Sequence, residues 1–103
     1  MAIRLLWTPQ AETDVLDIYG FIALDNLGAA DRILDKLQSN IQMLVRNPRL
    51  CQRRPDIRPC MRIFVQHPYL ILYETHPDTD EGPISAVEIV RIVDGRRNLK
   101  DLF

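Results

Sequence analysis

The sequence has no run approaching the roughly 20 apolar residues that a membrane-crossing helix needs. Its opening, Met1-Ala2-Ile3-Arg4-Leu5-Leu6-Trp7, lacks the apolar stretch and small-residue cleavage pattern of a secretory signal, so the expected compartment is the cytoplasm. Cysteine is scarce. Cys51 and Cys60 are the only 2, their spacing fits no zinc motif, and in a reducing compartment they are expected to stay unbridged. The 4 glycines are scattered, which excludes a phosphate-cradling loop. The 2 histidines, His67 and His76, flank a strand-like run without Cys, Asp or His at ligand spacing, and read as surface turn residues. No nucleophile with its base and no carboxylate pair stands out either. Neither catalytic residue, metal nor cofactor is therefore assigned.

What is present describes one foldable unit. With 103 residues, 47% hydrophobic and 26% charged, the chain suits a single domain over residues 1–103 rather than a disordered segment. The net charge of −1 says little, but its distribution is uneven. Arg46, Arg49, Arg53, Arg54, Arg58 and Arg62 face only Asp56, and Arg91, Arg96, Arg97 and Lys100 face Asp94 and Asp101. The acids gather between Glu12 and Asp35 and at Asp78, Asp80 and Glu81, a segregation that creates a local positive field on a nearly neutral chain.

Ile3 to Trp7 is a short apolar run that ends in Thr8-Pro9, a helix-start signal. Ala11, Val15, Ile18 and Ile22 then recur at helical spacing and predict an amphipathic helix over 9–24. Asp25-Asn26-Leu27-Gly28 breaks that pattern. A second stripe starting at Ala29 and Ala30 runs through Ile33, Leu37, Ile41 and Leu44 to a stop at Asn47-Pro48, which makes residues 9–46 an antiparallel helical hairpin. Residues 48–60, with Pro48, Pro55 and Pro59 among arginines, are expected to form an irregular surface connection. Met61–Gln66, Tyr69–Thr75 and Ile84–Val93 are rich in strand-forming residues and short-linked, which predicts an antiparallel meander. Leu99, Leu102 and Phe103 suggest a final apolar turn. The class is α+β: an N-terminal strand and a helical hairpin packed on a mostly antiparallel sheet, ending in a short basic tail.

Two arginines interrupt apolar strands, where a charge is costly unless it reaches solvent or a partner. Strict alternation places Arg91 with Val87, Ile89 and Val93, opposite Glu88. Either its head pairs with Glu74, Glu88 or Asp94, or Arg62, Arg91, Arg96 and Arg97 converge on one concave sheet face to meet phosphate or carboxylate groups.

Several segments together resemble a known family. Trp7-Thr8-Pro9-Gln10-Ala11-Glu12 with Asp14-Val15, Ile18-Tyr19 and Phe21-Ile22 is similar to the first helix of ParE-type toxins of the RelE/ParE superfamily. Arg54-Pro55-Asp56-Ile57-Arg58 with Met61-Arg62 looks like that family's entry to the sheet, Tyr69–Tyr73 like its central strand, and Val87–Arg97 like its last strand and basic tail. Two features depart from the pattern: Asp94 stands where the family often has His, and Cys51 and Cys60 where it often has Gly.

The resemblance implies the toxin of a type II toxin–antitoxin system that poisons DNA gyrase and is neutralised by a ParD-like antitoxin, with an acidic segment that folds on binding. It also implies a toxin–antitoxin hetero-oligomer that contacts DNA only through the antitoxin. Target binding is expected of Arg91, Arg96, Arg97 and Lys100, and antitoxin binding of Arg54, Arg58, Arg62, Ile63, Val65 and Tyr73. The alternatives are a RelE-like ribosome-dependent mRNA endoribonuclease and an antitoxin-binding module without toxicity.

Overall fold

The computed structural model describes residues 2–103. Along the chain it contains β1 (Arg4–Trp7), α1 (Pro9–Ala23), α2 (Leu27–Arg46), β2 (Arg62–Gln66), β3 (Tyr69–His76), β4 (Ala86–Asp94) and a 3-10 turn at Leu99–Leu102. No helix among the described residues is long and apolar enough to cross a membrane.

The helices begin where side chains can satisfy free backbone N–H groups. Thr8 is extended, and its Oγ1 accepts from the Ala11 N–H at 3.0 Å, with Pro9 at the first helical turn. The same hydroxyl donates to the Val90 carbonyl at 2.7 Å, so one residue both caps α1 and ties its start to the sheet. Thr8→Ala is therefore expected to cost about 1–2 kcal/mol and Thr8→Ser much less, as read from urea unfolding midpoints. Equal midpoints for the two variants would contradict the capping role. In α2, Asn26 accepts from the Ala29 N–H at 2.9 Å, which starts the helix at Leu27, before the apolar stripe begins.

The sheet has 4 strands in the order β1-β4-β3-β2. The β2–β3–β4 meander is antiparallel, as its short links dictate, while β1 pairs in parallel with β4, Arg4 opposite Ala86 through Trp7 opposite Ile89. One face carries the helices: Ala11, Leu37, Ile41 and Leu44 pack on Ile71, Tyr73, Val87, Ile89 and Ile92. Each large buried aliphatic side chain there contributes about 1.5–3 kcal/mol relative to exposure. The second face buries Met61, Leu72, Val90 and Val93 beneath Ile63, Leu70 and the tail residues Leu99 and Leu102. The apolar tail turn thus covers the sheet face that the helices leave bare.

Two features depart from the simple strand reading. Leu72 pairs with Arg91 but Tyr73 with Ile89, so Val90 is an extra residue in β4. Alternation shifts there: Val87 and Ile89 share the helix-side core with Ile92, whereas Val90 and Val93 belong to the opposite face. Arg91 therefore shares a face with Val93 but not with Val87 and Ile89. The irregular connection after α2 is also tied down more than its composition suggests. Arg49 donates to the Thr79 carbonyl at 3.0 Å and the Gly82 carbonyl at 2.9 Å, and Arg53 to Asp78 at 3.0 Å. The basic connection and the acidic β3–β4 loop, read separately in the sequence, neutralise each other.

Candidate interaction surface

The four cations assigned to target binding divide into two environments. Arg91 grips Asp14 of α1 with two parallel bonds, Nε to Oδ2 at 2.7 Å and Nη2 to Oδ1 at 3.0 Å, and the two side chains are only 14% and 9% exposed. The bond to Asp14 holds the guanidinium's pKa above its ordinary value, against the opposing effect of burial. Asp14 Oδ2 also accepts from the Ile92 N–H at 3.0 Å. The β1 pairing with β4 ends at Ile89, so this carboxylate satisfies a backbone donor on the strand edge beyond β1. Neither Glu74, Glu88 nor Asp94 is the partner of Arg91. The guanidinium is fixed inside the scaffold and does not converge with Arg62, Arg96 and Arg97 on one open face.

Arg96, Arg97 and Lys100 lie outside, between the end of β4 and the 3-10 turn. Arg96, 90% exposed, folds back on Asp94 through Nε at 3.0 Å and Nη2 at 2.9 Å, and its own N–H donates to the same carboxylate at 2.9 Å. These bonds hold the Asp94 carboxyl below the usual carboxylate range. Asp94 thereby orients the tail guanidinium. Arg97 lines a depression with Asp14, Asp17, Ile18, Phe21 and Tyr69.

The residues expected to meet an antitoxin divide as well. Tyr73 is fully buried in the helix-side core and donates to the Pro48 carbonyl at 3.1 Å, and burial pushes its phenol pKa up. Arg62, also buried, donates to the Cys51 carbonyl, and its Nε has no partner among the described residues. Neither is open to a partner in this form, because Arg62, opposite Tyr73, turns beneath the connection after α2. Ile63 is half-buried in the second cluster, and Val65 is exposed on β2, the outer strand of the sheet. Arg54 holds Asp56 at 3.0 and 2.9 Å, while Arg58 sits 4.8 Å over the Phe103 ring and 3.9 Å from Glu74.

Sequence reasoning missed the apolar part of this surface. A groove of about 310 Å³ runs between the helices, lined by Trp7, Val15, Leu16, Leu34, Leu37 and Ile41. At the hairpin tip Phe21 is 78% exposed and Leu24 89%. The available signal was large apolar residues off the core stripes, Leu16 and Leu24 on the first predicted helix and Leu27 in the break before the second. His76 was also misplaced: it closes β3, and its Nε2 lies 2.9 Å from Glu88 Oε1 rather than in a turn.

Two helices on one face of a mixed four-stranded sheet define an α+β scaffold. The fold matches a chain of the chromosomal ParDE TA system from P. aeruginosa with a TM-score of 0.68, covering 90% of this chain and 96% of that one at 20% identity. Toxin ParE3 of Caulobacter vibrioides is 30% identical over 97 residues, 93% of this chain and 90% of the relative. Residues 5–99 match the family described as ParE toxin of type II toxin-antitoxin system, parDE. The chain belongs to the ParE toxin family.

Proposed function

We propose that this toxin arrests growth by poisoning DNA gyrase and that a ParD-like antitoxin neutralises it by folding a segment onto its surface. The observation that carries the antitoxin half is the uncovered apolar groove between α1 and α2; Phe21 and Leu24 add separate exposed apolar side chains at the hairpin tip. An amphipathic helix places apolar residues along such a groove, and Val65 on the open edge strand β2 offers a site for an added strand. Acidic residues in the same segment pair with Arg54 and Arg58, so antitoxin contact is reassigned to Arg54, Arg58, Ile63 and Val65 with the groove, while Arg62 and Tyr73 support that surface from beneath. DNA contact belongs to the antitoxin within the hetero-oligomer. For the target half, Arg96, Arg97 and Lys100 form the exposed basic tail, and bidentate anchoring by arginine requires no proton transfer.

The reading is tested by two measurements on the purified chain. Saturating cognate antitoxin is expected to raise the melting midpoint, since a partner that binds only the folded state stabilises it. Added to gyrase and supercoiled DNA, the free toxin is expected to accumulate cleaved DNA, and antitoxin to suppress that product. An unchanged midpoint removes the antitoxin reading. Cleavage of mRNA on ribosomes with gyrase unaffected replaces the target reading with the endoribonuclease.

A further inference from the structure

A second group of chemistry-bearing side chains lies away from the basic tail and the groove. Glu74 and His76 are two apart on β3 and therefore share a face, the one that carries Leu72 rather than the helices. Glu88 of β4 is the register partner of Glu74. One ligand atom from each of the three lies within 4.8 Å of the others, and all three residues are half-buried.

Two carboxylates directly opposite each other on neighbouring strands repel unless something positive stands between them. The Arg58 guanidinium stands off at 3.9 Å from Glu74, and the His76 ring meets Glu88 at 2.9 Å. Arg58 is drawn at the same time over the Phe103 ring, so its charge is shared. The remaining negative charge, with two carboxylate oxygens and one imidazole nitrogen within 4.8 Å of one another, suits a divalent transition metal. Mg²⁺ and Ca²⁺ prefer all-oxygen shells, whereas zinc accepts mixed nitrogen and oxygen ligands. At metal–ligand distances of about 2.1 Å, tetrahedral ligand atoms stand about 3.4 Å apart, so His76 and Glu88 separate by about half an ångström while the atoms now up to 4.8 Å apart draw in by about 1.4 Å.

We propose that Glu74, His76 and Glu88 form a divalent transition-metal site, zinc its first candidate, that cross-links β3 and β4 on the sheet face opposite the helices. Three protein ligands leave a coordination position for water or for a side chain of a partner. Because the ligands come together only in the folded sheet, the metal stabilises the native chain.

The test is calorimetric titration of the full chain with zinc chloride, together with thermal melts in zinc and in chelator. One equivalent is expected to bind, and zinc at a hundredfold over its Kd to raise the melting midpoint by roughly 10 °C. Glu88→Gln, nearly isosteric, and His76→Ala should each weaken binding about tenfold or more. His67→Ala and the Cys51→Ser/Cys60→Ser double variant should bind as the parent does, which separates this site from a stray surface histidine or thiol. Undiminished binding by both Glu88→Gln and His76→Ala, loss of binding in the cysteine or His67 variants, or no saturable binding at all would overturn the assignment. None of these outcomes depends on whether gyrase is the target.

Discussion

Asp14→Ala lowers the free energy of unfolding by about 3–5 kcal/mol and the melting midpoint by roughly 15 °C. The change leaves the Arg91 guanidinium without its carboxylate in a site where that side chain is only 14% exposed. It also leaves the Ile92 N–H without an acceptor on a strand edge that β1 does not reach. An exposed ion pair would be worth far less, because water and salt screen it, so the size of the effect measures the burial. Arg91→Ala should be milder, since Asp14 then keeps the Ile92 N–H and regains some water. Removing both partners should cost less than the sum of the two single changes, a coupling that a double-mutant cycle reads directly. Strictly additive losses, or an Asp14→Ala midpoint within about 3 °C of the parent, would mean that the pair does not hold α1 to β4.

That pair also marks the boundary of what the residues disclose before folding. Thr8-Pro9, the two helical stripes and the β-rich runs are local signals, and the observed elements follow them within a few residues. The pairing of β1 with β4 has no local signature, because four residues ending in Trp7 specify a strand but not the neighbour some 80 positions away. Arg91 illustrates a harder failure. Alternation fixes the face of a strand residue only while the strand is regular, and the extra residue at Val90 shifts everything after it. Its partner Asp14, 77 residues distant, stood out in the sequence only as part of the segment that resembles the family's first helix, with nothing to link it to Arg91. Tyr73 and Arg62 had the composition of a contact surface, yet the connection after α2 lies over them and supplies the Pro48 and Cys51 carbonyls that they bond. Glu74, His76 and Glu88 were invisible for a related reason. Ligand spacing can be read along one chain segment, whereas this group exists only through the β3–β4 register.

Arg96→Ala/Arg97→Ala is expected to reduce gyrase-mediated DNA cleavage roughly thirtyfold or more while the melting midpoint and antitoxin affinity stay near the parent values. Arg96 is exposed and pairs only with its neighbour Asp94, and Arg97 rims a surface depression, so neither supports the core. Loss of activity in a normally folded protein would therefore locate a target contact. Arg91→Ala provides the contrast: its effect on toxicity should follow the fall in stability and vanish when the cells are grown cool enough to fold it, because Arg91 acts through Asp14. Asp94→Ala adds a finer test, since it removes the carboxylate that accepts two guanidinium bonds and one backbone N–H bond from Arg96 without removing the cation. If orientation matters, that variant falls between the parent and the double alanine; if only charge matters, it matches or exceeds the parent. Full potency in Arg96→Ala/Arg97→Ala would exclude the tail as the target contact. An equal fall in antitoxin affinity would instead assign the tail to the antitoxin interface and leave the target surface to be sought at Phe21 and Leu24.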